Sequence, residues 1–393
     1  MSKVPFVPLA LAAALAAAVL AVAAPAAESV GVVTGFGAVL APGGEHPAPT
    51  GVSPEASGVF NALVTHDGST STISWTLRFA RLTGKAVAAH VHIGAPGSSG
   101  PAVLTLCGPC SSGQSGQAPL SAKLADAISN GNAYVNVHTP RNQGGEIRGE
   151  VGLSHALAAG LLADNETPKA NAPAGAKGSF TALIVDTGSR PVIAWTLGFG
   201  GLSGAASGAH IHLGKAGESG PIALALCGPC KGRMLGRKEI DPNLAKAIES
   251  GGAYVNVHTA ANAAGEIRGA VQPAAQGVAT FQTPLGTVLI DDRGHTLYMW
   301  EADAASKSVC YGRCAGVWPP ALSIGPAVAG GGAKASLLKV THRTDGTSML
   351  TYNGFPLYGF FRDQNPGDTT GQAVNGFGAK WWVLTPDGSK ITK

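Results

Sequence analysis

Six histidines carry the clearest chemical signal in the sequence, and they fall into two sets of three. Each set has a His-x-His pair and a third His that lies 46 residues beyond the pair. The sets are His90, His92 and His138, and His210, His212 and His258. Three imidazole ligands with one open coordination position suit zinc or copper. One interpretation is therefore two metal sites, and copper or zinc is the only cofactor that the sequence indicates.

Whether each set converges depends on two short segments being neighbouring strands. His90 and His92 lie two residues apart, so in a β-strand both side chains leave the same face. In AYVNVHT, His138 shares a face with Tyr134 and Asn136, while the two valines point to the core. A metal site then requires the three imidazole nitrogens to lie within about 4 Å of one point, because zinc binds nitrogen at about 2 Å.

A second interpretation of the histidines needs no metal. Histidines on a strand face can hydrogen-bond to nearby backbone, carboxylate or amide groups. Glu146 and Asn136 are available to the first set, and Glu266 and Asn256 hold the same positions in the second. The spacing alone leaves both interpretations open.

The six cysteines form three close pairs, which are Cys107 and Cys110, Cys227 and Cys230, and Cys310 and Cys314. In an exported chain the simplest arrangement is three local structural disulfides, and other pairings stay open. The CGPC pairs also match the redox motif of thioredoxin-like proteins, which needs its first Cys at a helix N-terminus. The SSGQSG that follows Cys110 is a poor helix former. This favours a structural disulfide, and a redox dithiol and metal ligation are the alternatives.

These histidines and cysteines lie inside an internal repeat. Residues 58–151 align with residues 178–271 without a gap, and the blocks LCGPC, AYVNVHT and GEIRG recur unchanged. A repeat of this length is a whole small domain, longer than most solenoid repeats. We predict a first domain over 29–153, a second over 154–271 and a different domain over 278–393.

The elements that must position the histidines are short strands. SGVFNALV and TISWTLRF alternate apolar and polar residues on either side of a turn, which is a hairpin pattern. Leu124, Ala127 and Ile128 have helical spacing, with Gly131 as a stop signal, and Asp241-Pro242 caps the same helix in the second copy. Seven or eight strands in each repeat predict an all-β protein of tandem antiparallel sandwiches.

The N-terminal segment indicates export. Lys3 precedes an apolar run over Leu9 to Ala24, and Ala24-Pro25-Ala26 is a small-x-small cleavage site. We predict a signal peptide over 1–26, with an uncleaved anchor as the alternative. Because the segment contains no Cys, a diacyl lipoprotein anchor is not expected. We expect a secreted or periplasmic protein without a further transmembrane segment.

The last domain repeats a short motif of a tyrosine, a second aromatic and an aspartate. GHTLYMWEAD corresponds to GFPLYGFFRD, and both copies predict a strand with its two aromatic side chains on one face. The motif residues are Tyr298, Trp300 and Asp303, and Tyr358, Phe360 and Asp363. This domain is also expected to be mostly β.

Composition narrows the class of function. Charged residues make up only 13% of the chain and the net charge is +4, so no basic surface for nucleic acid is indicated. The sequence has no P-loop, no dinucleotide fingerprint, no Gly-x-Ser-x-Gly and no His-Glu-x-x-His. No catalytic residues are therefore predicted, and the partner is expected to be an envelope or extracellular ligand.

The repeats resemble the CHRD domain, first defined in chordin, through AHVHIG and AHIHLG, AYVNVHT, GEIRG and an opening Glu-x-Pro at Glu45 and Glu166. The resemblance implies immunoglobulin-like β-sandwiches without an assigned biochemical role. The His-x-His is also similar to the copper-ligand strand of Cu/Zn superoxide dismutases, but the rest of that ligand set is not recognisable. The C-terminal domain resembles a secreted repeat family of lipoproteins of unknown function, through its Tyr-x-aromatic-x-x-Asp motifs, CYGRCAGVWPP and WWVLTPDG.

The sequence as a whole predicts an exported, non-enzymatic binding or structural protein. Two alternatives remain, which are a copper- or zinc-binding protein that uses the histidine sets and a thiol-disulfide redox protein that uses the CGPC pairs.

Overall fold

A computed structural model describes residues 33–67, 70–188, 190–215 and 217–392. These residues form two consecutive β-sandwiches and a smaller β domain, which confirms the all-β prediction. The predicted signal peptide lies outside the described residues. Within the described part of the chain, no helix has the length and apolar character needed to cross a bilayer.

The first sandwich has two antiparallel layers of four strands each. The first layer runs β1-β2-β3-β6 and is part of a 13-stranded sheet, and the second is a separate sheet that runs β5-β4-β7-β8. The strands are β1 (Val33–Leu40), β2 (Ser57–Asp67), β3 (Thr70–Ala80), β4 (Ala88–Ile93), β5 (Ala102–Cys107), β6 (Gln114–Pro119), β7 (Ala133–His138) and β8 (Ile147–Glu150). A single 3-10 turn (Pro42–Gly44) follows β1. The eight strands agree with the number predicted for one repeat.

The core of this sandwich follows from the alternation in the strands. Trp75 and Leu77 point inward from β3, and Val91, Val135 and Val137 point inward from β4 and β7; all five are buried in one cluster. Burial of a side chain of this size contributes about 1.5–3 kcal/mol. The opposite face of β4 and β7 is thereby left to the histidines.

The predicted short helix is present between β6 and β7 as α1 (Ala122–Ser129). The Ser121 hydroxyl accepts a hydrogen bond from the Leu124 amide, which caps the first turn. Gly131 adopts a φ of +65° just beyond the last turn, as helix-terminating glycines do. The apolar face of α1 is buried against the core through Leu124, Ala127 and Ile128, as the spacing predicted.

The second sandwich repeats this arrangement strand for strand. Its two layers run β9-β10-β11-β14 and β13-β12-β15-β16, and a pairing of Arg268 with Leu162 connects them. The elements are β9 (Gly152–Leu162), a 3-10 turn (Ala163–Asn165), β10 (Lys177–Asp186), β11 (Val192–Gly200), β12 (Ala206–Leu213), β13 (Ile222–Cys227), β14 (Arg233–Glu239), α2 (Pro242–Glu249), β15 (Ala253–Thr259) and β16 (Ile267–Ala270). Asp241 caps α2 by accepting a hydrogen bond from the Asn243 amide, which agrees with the prediction from Asp241-Pro242.

The two sandwiches share a continuous sheet. The start of β9 pairs with β1 through Phe36 and Leu153, and the rest of β9 pairs with β10. At the crossing point a Cβ on Gly152 would lie 1.9 Å from the Asp186 carbonyl oxygen, so only glycine fits there. One strand therefore closes the first repeat and opens the second.

The C-terminal domain consists of three small sheets. Their orders are β19-β18-β21, β20-β26-β25 and β22-β23-β24. The elements are β17 (Gln272–Pro273, paired with β9), β18 (Ala275–Thr283), β19 (Gly286–Asp291), β20 (Tyr298–Trp300), α3 (Arg313–Val317), β21 (Ser323–Ala329), β22 (Leu338–His342), β23 (Ser348–Tyr352), β24 (Phe355–Pro356), β25 (Asn375–Gly376) and β26 (Ala379–Val383).

One strand prediction in this domain is wrong. GHTLYMW does contain a strand, β20, but in GFPLYGF only Phe355 and Pro356 are in a strand. Pro356 has no N–H to extend the ladder. Beyond it, Tyr358 forms only isolated bridges, to Tyr298 and Pro320. The aromatic residues after β24 therefore lie in a loop that β20 and a neighbouring loop hold in place.

Candidate metal centre

The first histidine set converges because β4 and β7 are antiparallel neighbours. Ala88 pairs with His138 and His90 pairs with Asn136. This register puts the three imidazoles on the face opposite the core valines. His90 Nδ1 lies 3.1 Å from His138 Nε2, and the ring centroids of His90 and His92 are 5.6 Å apart. The strand pairing on which the prediction depended is present.

The three candidate ligand atoms of this set, one from each histidine, lie within 4.8 Å of one another. Three points so placed have a common point no farther than 4.8 Å divided by √3, or about 2.8 Å, from each of them. Zinc and copper bind imidazole nitrogen at about 2.0–2.1 Å. Side-chain shifts below 1 Å are therefore enough to complete a trigonal set of ligands.

Backbone carbonyls fix which nitrogen of two histidines is free. His92 Nδ1 donates a 2.9 Å hydrogen bond to the Gly100 carbonyl, and His138 Nδ1 donates a 2.9 Å bond to the Gln143 carbonyl. Because a carbonyl only accepts, each Nδ1 carries the proton and each Nε2 keeps its lone pair. Metal-binding histidines are typically oriented by such a hydrogen bond from the second ring nitrogen.

The second histidine set reproduces the backbone contacts of the first, but not the 3.1 Å hydrogen bond between His90 Nδ1 and His138 Nε2. His212 Nδ1 donates to the Gly220 carbonyl at 3.0 Å, and His258 Nδ1 donates to the Ala263 carbonyl at 3.1 Å. His210 Nδ1, His212 Nε2 and His258 Nε2 are buried without a hydrogen-bond partner among the described residues. One ring nitrogen from each of the three histidines lies within the same 4.8 Å limit of the other two. An unpartnered buried nitrogen costs free energy, and a bound cation would remove that cost.

In each set, the surroundings of two histidines favour the neutral imidazole. Burial lowers the pKa of His90 and of His138, and the neighbouring imidazoles lower both further. The pKa values of His210 and His258 are lowered for the same reasons. A neutral imidazole is the form that binds a metal. Two histidines of each set are therefore in the metal-binding form at neutral pH.

A stack of side chains supports one ligand in each set. The Tyr134 ring lies parallel to the His92 imidazole, with centroids 4.8 Å apart and planes at 11°. The Arg148 guanidinium covers the Tyr134 ring, 3.4 Å from its centroid. Arg268, Tyr254 and His212 form the same stack in the second repeat. The stack fixes the plane of one imidazole, and the GEIRG motif supplies its arginine.

The metal-free interpretation offers Glu146 as a hydrogen-bond partner of the histidines, but Glu146 does not bond to them. Its carboxylate accepts hydrogen bonds from Thr83, Thr139 and Asn142 instead. Burial opposes ionisation, but these bonds together outweigh it and lower the pKa of Glu146. Thr139 directly follows His138, so Glu146 fixes the loop that leaves the site. Glu266 does the same through Ser203, Thr259 and Asn262.

Sequence reasoning did not assign a role to the two Glu-x-Pro carboxyls. Glu45 is buried beside Asn136 and Arg148, and burial raises its pKa to about 7. Glu166 lies beside Asn256 and Arg268, and burial raises its pKa to about 7 as well. The repeat of the motif was the available signal, because both copies have a glutamate two residues before a proline.

Comparison with known protein families identifies the two repeats and the last domain. Residues 36–151 and residues 157–271 each match the CHRD domain model. The chain belongs to the CHRD family. Residues 279–322 and 339–385 match a second family, described as a secreted repeat of unknown function. No curated protein and no solved structure matches the chain. Both family resemblances in the sequence are confirmed, while the exact domain boundaries stay predictions.

Each CHRD domain carries its CGPC pair away from the histidines. Cys107 is bonded to Cys110, Cys227 to Cys230 and Cys310 to Cys314. Cys107 pairs in register with buried Ala89 and packs in the core cluster, on the opposite face from His90. The residues after Cys110 form a turn and then β6. The helix N-terminus that activates a redox cysteine is therefore not found beside this pair.

The C-terminal motif residues form no open site. Tyr298 bonds to Asp363 and Tyr358 bonds to Asp303. Trp300 and Phe360 pack at the two ends of an aromatic row completed by Trp381 and Trp318. The tyrosines and the aromatic side chains of the motif are buried. The motif residues therefore hold this domain together.

Proposed function

We propose that this CHRD protein binds metal outside the cytoplasm, and that each CHRD domain holds one copper or zinc ion through three histidines. Site 1 is His90, His92 and His138, and site 2 is His210, His212 and His258. The role is binding rather than catalysis, and the three structural disulfides suit an oxidising compartment. The secreted-repeat family of the last domain supports the same location.

The observation that carries the proposal is the convergence of three imidazole nitrogens in both repeats. A solvated histidine cluster would not need the same nitrogen of two rings to be turned inward twice. In both sites, backbone carbonyls take the Nδ1 protons of the second and third histidines. This pattern leaves the Nε2 lone pairs of the second and third histidines available to a metal.

The donor set narrows the choice of metal. Three imidazoles and no carboxylate suit zinc and copper better than calcium or magnesium, which prefer oxygen ligands. Among divalent ions, copper is expected to bind more tightly than zinc at such a site. The half-buried position of His90, His92 and His138 leaves room for a fourth ligand.

Metal titration of the purified full chain tests this function. Bound metal is first removed with a chelator. When zinc or copper is then titrated into the metal-free protein, we expect two ions to bind per chain. His92→Ala and His212→Ala should each lose one ion, and the double variant should lose both. His342→Ala, which removes an exposed histidine of the C-terminal domain, should keep both ions. Fewer than one bound ion per chain in the unsubstituted protein would reject the proposal.

A further inference from the structure

The two sites have equivalent histidine ligands, but they differ in the charged groups around the arginine that supports each site. In site 1, Arg148 is paired with Glu150, whose Oε1 accepts hydrogen bonds from Nε at 3.2 Å and from Nη2 at 2.8 Å. The position equivalent to Glu150 in the second repeat is Ala270. Arg268 donates to the carbonyl oxygens of Lys215 and Glu218, and the second bond is equivalent to the one from Arg148 to the Ser98 carbonyl. Among the described residues, Arg268 makes no salt bridge to a carboxylate.

Both arginines are buried and close to a ligand. Arg148 is 1% exposed and Arg268 is 3% exposed. Each guanidinium lies on the far side of a tyrosine ring that stacks directly on a ligand imidazole. Charges in such a position are poorly screened by solvent. The charge of Arg268 therefore acts on site 2, whereas Glu150 compensates that of Arg148 at site 1.

Other charges near the arginines do not remove this difference. Glu45 and Glu166 occupy the same position in the two repeats and lie beside the two arginines, so their effects cancel in the comparison. Lys215 and Glu218 are a further pair in the second repeat. Their charges are opposite and both side chains are exposed, so solvent screens the electrostatic effect of each on site 2.

We infer that the two metal sites are electrostatically unequal, and that site 2 discriminates against divalent ions relative to site 1 and so favours monovalent copper. This inference rests on the proposed function. Repulsion from a fixed positive charge is proportional to the charge of the ion. Arg268 therefore weakens binding of Zn²⁺ or Cu²⁺ by twice the free energy that it costs Cu⁺.

The expected difference in affinity between the two sites follows from the one uncompensated charge of Arg268, which lies one tyrosine ring away from a ligand imidazole. Zn²⁺ should bind site 2 about tenfold more weakly than site 1, and Cu⁺ only about threefold more weakly, for partly screened charges inside a protein. One chain would then carry one site suited to a divalent ion and one suited to reduced copper.

The test isolates each site in the full chain. His210→Ala with His258→Ala leaves site 1, and His90→Ala with His138→Ala leaves site 2. Zn²⁺ and Cu⁺ affinities are then measured by competition with chelators of known affinity. Ala270→Glu should strengthen Zn²⁺ binding at site 2 about tenfold by supplying the missing partner. Glu150→Gln should weaken it at site 1 by a similar factor.

Ala270→Gln is the matched control, because it adds the same side-chain volume without charge and should leave the Zn²⁺ affinity unchanged. Equal Zn²⁺ affinities at the two sites, or equal effects of Ala270→Glu and Ala270→Gln, would overturn the inference while leaving the metal-binding function intact. Absence of binding at both sites would instead reject the function itself. Circular dichroism of every variant separates loss of charge from loss of fold.

Discussion

The hydroxyl of Tyr298 donates a 2.6 Å hydrogen bond to Asp363, which belongs to the other copy of its motif. The Tyr358 hydroxyl donates the reciprocal hydrogen bond, of 2.6 Å, to Asp303 of the first motif. The backbones of the two tyrosines also bond to each other, at 2.8 and 3.0 Å. The two halves of the C-terminal domain are therefore joined by hydrogen bonds in which the tyrosine of each motif donates to the aspartate of the other. Neither motif can form these bonds alone. Burial raises the pKa of both tyrosines, with the partner aspartates adding to the shift, which keeps them as donors.

A double-mutant cycle tests this exchange. Tyr298→Phe should lower the free energy of unfolding by about 1–3 kcal/mol, because a buried acceptor loses its donor. Combined with Asp363→Asn, the change should be non-additive, whereas the pair Tyr298→Phe and Asp303→Asn should add to within about 0.5 kcal/mol. Urea unfolding measures both. Coupling of Tyr298 to Asp303 rather than to Asp363 would contradict the assignment.

Glu146 should support site 1 without touching the metal. Glu146→Gln replaces an acceptor oxygen by an NH₂ group that faces the Thr83 and Asn142 donors, so we expect a loss of about 1–3 kcal/mol in stability. Metal affinity should fall at site 1 and stay unchanged at site 2. Glu55→Gln, at an exposed glutamate, is the control. A variant that affects both sites equally would show a general loss of fold.

Stability should depend on pH through Glu45 and Glu166. Their pKa values rise from 4.5 to about 7 on folding because of burial. Between these values the folded state holds protons that the unfolded state has lost, so this contribution is full below pH 4.5 and disappears as the pH rises through 7. We expect Glu45→Gln to lose less stability than the unsubstituted protein between pH 5 and pH 8. Unfolding curves at both pH values measure this, and parallel losses would contradict it.

The CGPC bonds should matter for folding and not for metal binding. Cys107→Ala with Cys110→Ala removes a very short cross-link, for which chain entropy predicts a loss of about 2 kcal/mol. Because Cys107 faces the core, the stoichiometry of two ions should remain. A mild thiol buffer should release few thiols from the folded protein. Rapid reduction together with thiol-dependent turnover would instead favour a redox role.

Much of the fold could be predicted from local patterns. Alternating residues define β3, β4 and β7, and the helix α1 follows from Leu124 and its neighbours, because local periodicity and core burial act together there. The same reasoning was wrong for Tyr358 and Phe360. Their alternation resembles a strand, but Pro356 interrupts the ladder and the ring positions are set by contacts with Trp318 and Tyr298.

The sequence by itself determined the family, the repeat and the identity of the candidate ligands, because these depend on residue type and order. Tertiary structure decided that His138 meets His90 and His92, since only the pairing of β4 with β7 brings together residues more than 40 positions apart. It also showed that Glu146 accepts hydrogen bonds from Thr83, Thr139 and Asn142, and that Glu150 is the partner of Arg148. Such contacts depend on the spatial register of the strands, which residue spacing along the chain does not specify.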